Sequence, residues 1–138
     1  MSVDFIDSNI FVYLFDEKHA KKRQIAESII SDSIQTRRGC ISFQVVQETL
    51  NVLTQKLAKP VTAADAALFL NQVLMPMWRI MPGKALYQQA LETKSRYGYS
   101  FYDALIIAAA LESGSKRLLS EDMQHEQRIG KLQIINPF

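Results

Sequence analysis

Several residue types on which particular folds and chemistries depend are scarce in this 138-residue chain. Cys40 is the only cysteine, which excludes an internal disulfide, and no cysteine and histidine spacing resembles a zinc site. The five glycines form no GxGxxG or GxxxxGK sequence, which disfavours ATP or dinucleotide binding. His19 and His125 lie in polar, charged stretches without a Ser or Cys partner at a recognisable spacing. The sequence therefore does not indicate a hydrolase that uses a Ser–His or Cys–His pair.

Long apolar segments and a strong charge of one sign are also lacking. The longest nearly uncharged apolar run, residues 104–111, is far too short to cross a bilayer. Residues 1–5 show no basic region followed by an apolar run, so a signal peptide is not expected. The formal net charge is only +2. These features predict a cytoplasmic protein that does not bind membranes, and the charge alone is weak support for a nucleic-acid partner.

What the chain does contain is an alternation of strand and helix patterns. Strands are predicted at 3–7, 39–42, 77–81, 117–120 and 132–135, with 77–81 at an edge. Helices are predicted at 9–15, from 16 to about 34, and at 43–58, 62–74, 84–96, 100–112 and 122–127. This order predicts one α/β domain over residues 1–138. Its short central sheet of four or five mainly parallel strands would be flanked by helices on both faces.

Three acidic residues lie at or just beyond the carboxyl ends of predicted strands. Asp7 ends the first strand, Glu48 lies on the helix that follows the second, and Asp122 comes two residues after Ser120. Open parallel sheets bind their ligands outside the carboxyl ends of the strands. We therefore expect these three side chains to lie near one another.

Asp103 is a fourth candidate, in the first turn of the predicted helix 100–112. Residues 104–111 are apolar, so we expect the helix to be buried on most sides and its start to be enclosed as well. Burial of a carboxylate is costly unless the group is paired or bound to a metal ion. A structural alternative is a capping box, in which Asp103 bonds back to the amide of Ser100.

Each of the other acids also has a structural alternative. Asp7 is a favoured residue for capping a following helix, and either Asp122 or Ser120 could cap the predicted helix 122–127. Glu48 lies nearly opposite an apolar stripe on its helix, which fits a solvated face as well as a wet cleft. That stripe comprises Val46, Leu50, Leu53 and Leu57.

A common function would explain the four acids together. Several carboxylates in one cleft repel each other, so they either take up protons or gather cations. Oxygen ligands without His or Cys suit Mg²⁺ or Mn²⁺, and such ions orient a phosphodiester and activate water. Mg²⁺ usually binds only one or two protein carboxylates directly. A negative cleft holding metal in an otherwise basic surface suits a polyanionic substrate.

Four segments of the chain resemble the acidic motifs of PIN domains. The segments, in the order of the family, are 5–13 (FIDSNIFVY), 41–48 (ISFQVVQE), 100–106 (SFYDALI) and 118–122 (LLSED). They span almost the whole chain, and the compact form with its closing IINPF most resembles VapC-type toxins of toxin–antitoxin pairs. One such motif would be weak support, whereas four in order are strong support.

The resemblance implies a PIN-like α/β/α sandwich and an endoribonuclease that depends on Mg²⁺ or Mn²⁺. It further implies a homodimer that is inhibited by a small antitoxin protein. The acids Asp7, Glu48, Asp103 and Asp122 correspond to the family's catalytic set, with Ser120 as a supporting residue. We expect Asp7 and Asp103 to bind metal directly. Glu48 and Asp122 would bind it through water or orient the attacking water, and Glu121 is an alternative to its neighbour.

Three other functions are compatible with part of this pattern. A PIN-like module could bind RNA or protein without cleaving it, and metal-dependent cleavage would discriminate. A phosphate-accepting receiver domain also gathers acids at strand ends, but it needs an acceptor Asp at the end of a middle strand, where residues 40–42 offer none. A DNA nuclease of related chemistry would be distinguished by comparing RNA with DNA substrates.

Overall fold

Six strands form one sheet at the centre of the computed structural model, which describes residues 2–138. The strands are β1 (Asp4–Ile6), β2 (Gly39–Ser42), β3 (Trp78–Ile80), β4 (Arg117–Leu119), β5 (Arg128–Ile129) and β6 (Leu132–Ile135). Their spatial order is β3-β2-β1-β4-β6-β5, and every neighbouring pair is parallel except β5 with β6. The predicted α/β fold with a mainly parallel sheet flanked by helices is thus confirmed, and β3 lies at an edge as predicted.

Within the described part of the chain, six α-helices connect or follow the strands. They are α1 (Ser8–Val12), α2 (Ala20–Thr36), α3 (Phe43–Asn51), α4 (Ala63–Phe69), α5 (Lys84–Tyr97) and α6 (Phe101–Glu112). A 3₁₀ turn follows α1, and single π-helical turns at Val52–Lys56 and Leu70–Leu74 extend α3 and α4. The two long predicted helices 43–58 and 62–74 therefore exist, but each changes its hydrogen-bonding pattern before it ends.

Burial of the central strands and of α6 fixes the core. Phe5 and Ile6 of β1 are fully buried, as are all four residues of β2. Helix α6 buries every residue from Ala104 to Ala110, because almost its whole surface is apolar. Within residues 2–138, no helix combines the length and the apolar character that crossing a membrane would require.

The sheet brings together chain segments that are distant in sequence. β1 pairs in parallel with both β2 and β4, so the carboxyl ends of these three strands lie at the same edge of the sheet. Helix α1 starts directly after β1, and α3 starts directly after β2. The residues at these junctions, Asp7 and Ser42, cap the helices with their side-chain oxygens. The first turns of α1 and α3 therefore lie side by side at this edge of the sheet.

Two predicted features at the end of the chain are wrong. The sheet has six strands rather than four or five, since the two-residue strand β5 pairs antiparallel with β6. The predicted helix 122–127 is absent, and the segment forms bends and turns instead. Its backbone bonds to β6, because the Glu126 amide donates to Ile134 O at 2.7 Å and the Ile134 amide donates to Gln127 O at 2.9 Å. A helix of one turn cannot compete with such pairing.

The second helix begins at Ala20, later than the predicted residue 16. The Asp16 carboxylate accepts hydrogen bonds from the backbone amides of Lys18 at 2.8 Å and His19 at 3.2 Å. Such local bonds from an Asp side chain stabilise a turn in place of a helix. The charged stretch 16–19 is therefore a connection rather than the first turn.

Candidate active site

Asp7 occupies the carboxyl end of β1 and is almost completely buried, with 4% of its surface exposed. Its amide continues the strand pairing by donating to Leu119 O at 3.0 Å. Its carboxylate accepts from the Ser8 amide at 2.7 Å and from the Ser120 hydroxyl at 2.8 Å. Asp7 thus caps α1, as the structural alternative supposed, and is at the same time fixed against the end of β4.

Capping does not remove the cost of burying this charge. The pKa of Asp7 is raised to about 7, chiefly by burial and to a smaller extent by the nearby carboxylates of Glu48 and Asp122. The hydrogen bonds from Ser120 and Ser8 lower the pKa but do not compensate. The carboxyl group of Asp7 is therefore partly protonated near neutral pH, as expected of a buried carboxylate that lacks a cationic partner.

Glu48 reaches the same edge of the sheet from the second turn of α3. Its Oε2 accepts from the Ser8 hydroxyl at 3.0 Å, and its Oε1 accepts from Gln44 Nε2 at 2.6 Å. The side chain is half-buried rather than fully solvated. Ser8 consequently lies between Asp7 and Glu48, with its amide on one carboxylate and its hydroxyl on the other.

Asp122 follows β4 and is held by the side chain of Asn9. The Asn9 Nδ2 group donates to Asp122 Oδ2 at 2.9 Å and to Ser120 Oγ at 3.4 Å, while Asn9 Oδ1 accepts from the Glu121 amide at 3.3 Å. The Asp122 amide also donates to Ser120 Oγ at 3.3 Å. Ser120, fully buried, contacts both Asp7 and the backbone of Asp122. One amide side chain of α1 therefore sets the conformation of the segment after β4.

Glu121 points to a different set of partners. Its carboxylate binds Lys22 Nζ at 2.8 Å and accepts from the Tyr13 hydroxyl at 2.5 Å. Burial pushes the pKa of Glu121 upward, but the hydrogen bonds from Lys22 and Tyr13 outweigh it and leave the pKa below its ordinary value. Of the neighbouring acids Glu121 and Asp122, only Asp122 perturbs the pKa of Asp7.

Asp103 differs from its expected environment. The start of α6 is not enclosed, since Asp103 is half-buried and Tyr102 is 67% exposed. Ser100 caps the helix by accepting from the Asp103 amide at 3.2 Å, which is the first half of the predicted capping box. Burial raises the pKa of Asp103, the hydrogen bond with Ser100 lowers it, and the charge of Asp122 raises it. Asp7, not Asp103, is thus the buried carboxylate.

The four predicted acids accordingly form a chain of neighbours rather than one tight cluster. Asp7 interacts electrostatically with Glu48 and Asp122, and Asp103 interacts with Asp122. Among residues 2–138, no three His, Cys, Asp or Glu side chains lie close enough to hold one ion together. The donors are all carboxylate oxygens, which fits Mg²⁺ or Mn²⁺ bound through one or two protein ligands and water.

An open groove of about 330 Å³ lies beside these acids. Of the four acids only Asp122 lines it, together with Glu121, Tyr13, Val52 and residues of α1. The groove therefore gives solvent and solutes access to Asp122 and the segment after β4.

Two polar residues of the site were not identified as such from the sequence. Ser8 and Gln44 lie within the motif segments 5–13 and 41–48, but neither was assigned a role. Gln44 is 4% exposed and bonds to Glu48. The signal that could have identified it is its spacing, because residues four apart on a helix are neighbours and a Gln can donate to a following Glu.

Comparison with known proteins identifies the family. The family model of the PIN domain matches residues 5–130, and these contain all four acidic motifs. No curated protein matches the chain.

Solved structures with the same fold include toxins and toxin–antitoxin complexes. One is VapC20 of Mycobacterium tuberculosis, described as a sarcin-ricin loop cleaving toxin, with 22% identity, a TM-score of 0.61 and coverage of 86% of this chain and 91% of that one. A toxin–antitoxin complex from Klebsiella pneumoniae has 15% identity, a TM-score of 0.70 and 98% coverage of both chains. VapBC2 from Rickettsia felis, bound to a DNA fragment from its promoter, has 18% identity, a TM-score of 0.66 and 96% coverage of both.

Proposed function

The chain belongs to the PIN domain family, and on that premise we propose that it is a metal-dependent endoribonuclease and the toxin of a type II toxin–antitoxin pair. The observation that carries the proposal is the buried Asp7 carboxylate, whose pKa is raised to about 7. It lies at the carboxyl end of a central parallel strand, beside Glu48 and Asp122. A bound cation would stabilise the charged form of a carboxylate that is buried in this position.

Each acid has a proposed role in hydrolysis of an RNA phosphodiester. Asp7 and Asp103 would hold Mg²⁺ or Mn²⁺, which supplies charge neutralisation and an activated water when bound. Glu48 and Asp122, each held by a side-chain amide at 2.6 and 2.9 Å, would orient water around it. Ser120 keeps Asp7 in place by donating its hydroxyl to the carboxylate at 2.8 Å. These hydrogen bonds fix the acids before substrate binds, so less reorganisation is needed during reaction.

The substrate class and the partner are supported by the structural neighbours. VapC20 is described as cleaving the sarcin-ricin loop, and the Klebsiella and Rickettsia structures are a toxin–antitoxin complex and a VapBC complex. At identities of 14–23% such likeness shows the fold, so RNA as substrate and a small antitoxin as partner are part of our proposal for this chain. A homodimer in the cytoplasm belongs to the same proposal.

A PIN-like module that binds RNA without cleaving it is the second candidate. It is favoured by one observation, namely that Asp103 is half-buried at an open helix start and interacts with Asp122 rather than with Asp7. Binding of RNA without any cleavage in Mg²⁺ or Mn²⁺ would support this alternative.

Substitution of Asp7 tests the nuclease proposal. Asp7→Asn keeps the size of the side chain and can retain hydrogen bonds with Ser8 and Ser120, but it removes the charge. We expect cleavage of RNA to fall by about a hundredfold or more, because a cation loses a direct ligand. Glu121→Gln is the matched control, since Glu121 binds Lys22 and Tyr13 instead of the acids, and we expect it to cleave nearly as fast as wild type. Equal rates for wild type and Asp7→Asn would refute the assignment.

A further inference from the structure

Gln44 forms hydrogen bonds with two parts of the candidate site that are far apart in sequence. It lies in the first turn of α3, one helical turn before Glu48, and 4% of its surface is exposed. We propose that Gln44 is a positioning residue, whose amide nitrogen orients the Glu48 carboxylate and ties it to the first turn of α6. This inference extends the proposed function, since it assigns Gln44 a role that acts through Glu48.

Both protons of the Gln44 amide are used. Nε2 donates to Glu48 Oε1 at 2.6 Å and to the backbone carbonyl of Tyr102 at 3.0 Å. A side-chain amide nitrogen carries two protons, so these bonds exhaust its donors. Tyr102 immediately precedes Asp103, and the bond to its carbonyl therefore fixes the helical turn that carries a second candidate acid. The planar amide group of Gln44 thus connects Glu48 with the start of α6.

Glu48 is held from two sides by this arrangement. Its other oxygen, Oε2, accepts from the Ser8 hydroxyl at 3.0 Å. With one donor on each oxygen, the carboxylate plane is defined by Gln44 of α3 and Ser8 of α1. Removal of either donor would leave Glu48 free to rotate about its side-chain bonds. This freedom would weaken the binding of any water or cation that Glu48 orients.

The oxygen of the same amide lowers the stability that Gln44 could otherwise contribute. Gln44 Oε1 is buried and has no hydrogen-bond partner among the described residues. A buried polar atom without a partner destabilises the folded state. The opposite amide orientation would face Glu48 and the Tyr102 carbonyl with an acceptor and is excluded by repulsion. An apolar residue of similar shape would avoid this cost but would leave Glu48 and the Tyr102 carbonyl without this donor, so the contribution of the amide lies in what its nitrogen holds.

Helix α3 also provides a matched control. Thr49 is fully buried in the same helix, and its hydroxyl is the other buried side-chain atom without a partner among residues 2–138. Thr49 has no bond to a candidate acid. Thr49→Val and Gln44→Met therefore each remove one unpaired buried oxygen from α3 while keeping the approximate shape of the side chain, but only Gln44→Met releases Glu48.

The expected outcome is a separation of stability from cleavage. Thr49→Val should unfold at a urea concentration equal to or above that of wild type, and Gln44→Met close to that of wild type, because removal of the unpaired oxygen offsets the two lost hydrogen bonds. Gln44→Met should lower kcat for RNA cleavage about 10–100-fold and weaken Mn²⁺ binding, as loss of a residue that orients a ligand does. Thr49→Val should change neither. Wild-type kcat and Mn²⁺ affinity in Gln44→Met would overturn the proposal.

A double-mutant cycle with Glu48→Gln tests whether Gln44 acts through Glu48. If it does, Gln44→Met should add no further loss of Mn²⁺ affinity or cleavage in the Glu48→Gln background. Additive losses would overturn the proposal and assign Gln44 an independent structural effect. Wild-type cleavage by Glu48→Gln itself would instead refute the proposed role of Glu48, from which the role of Gln44 follows.

A measurement on the unsubstituted side chain covers the case in which Gln44→Met does not fold. In ¹⁵N-labelled protein without metal or RNA, the two Gln44 amide protons should be protected from solvent exchange. Glu48→Gln should shift one proton resonance strongly. Rapid exchange of both protons in wild type would overturn the proposal even if the protein cleaves RNA.

Discussion

Asp7 combines a favourable position with an unfavourable charge. Its backbone continues β1, its side chain caps α1, and its carboxylate is buried next to Glu48 and Asp122. Hydrogen bonds from two serines satisfy its oxygens without neutralising it. The metal-free protein therefore carries a destabilising carboxylate at neutral pH, and a bound cation would remove the cost.

The cost of this charge predicts a pH-dependent effect of Asp7→Asn on stability. The folded-state pKa is about 7 against an ordinary value of 3.8, so between these values the folded protein retains a proton that the unfolded chain has lost. The free energy of unfolding of wild type therefore falls as pH rises from about 4 to about 7. Asn stays neutral and avoids this loss. In EDTA, the variant should match wild type near pH 4 and be about 4 kcal/mol more stable at pH 8.

Urea denaturation in EDTA across pH 4–8 measures this difference, and the same series in excess Mg²⁺ provides the control. Cation binding stabilises only wild type, so the advantage of Asp7→Asn should shrink or reverse there. A variant that is less stable than wild type at pH 8 in EDTA would contradict the account of Asp7.

The sequence predicted the positions of some site residues but not of others. The positions of Asp7 and Asp122 followed from strand ends, because a parallel sheet aligns the carboxyl ends of its strands. The environment of Asp103 did not, since the apolar run that begins at Ala104 buries the later turns of α6 while the first turn remains open. Gln44 was missed because its role depends on Tyr102, 58 residues away in sequence.

At the scale of elements, local signals decided most helix starts and few helix ends. Ser42, Thr62 and Ser100 each cap a helix at the predicted place, because their hydroxyls accept the first free amides. The π-helical turns that end α3 and α4 have no comparable sequence signal. The helix predicted at 122–127 was wrong because pairing with β6, a tertiary interaction, outweighs local propensity.

Strand β2 makes a close contact that predicts a sensitive glycine. A Cβ at Gly39 would lie 2.6 Å from Met77 Sδ and 2.8 Å from Ser33 Cβ, so β2 would have to move away from α2 or the segment before β3. We expect Gly39→Ala to lower the free energy of unfolding by about 1–3 kcal/mol, as overpacking does. Urea denaturation measures the loss.

Gly83 provides the matched control for this prediction. A Cβ there would meet nothing within 4 Å, and Gly83 precedes α5 with an extended backbone. Gly83→Ser adds a favoured capping residue and should leave stability unchanged or raise it. Equal losses in Gly39→Ala and Gly83→Ser would show that the close approach of β2 is not the cause.

At the scale of the whole molecule, topology assembles the site from four distant segments. Strand order β2-β1-β4 places the segments after these strands side by side, and α6 adds Asp103 next to Asp122. The alternation of elements predicted the fold class, and four ordered motifs predicted the family, which the match over residues 5–130 confirms. The added strand β5 was not predicted because two residues with one Arg carry no strand pattern.

The central claim is that this assembly cleaves RNA with the help of a divalent cation. The most direct test incubates the purified protein with total cellular RNA in Mg²⁺, in Mn²⁺ or in EDTA and then maps the ends of the products. Our account predicts defined cuts with either ion, none in EDTA, and recovery when the ion is restored in excess. Cleavage that continues unchanged in EDTA would contradict it.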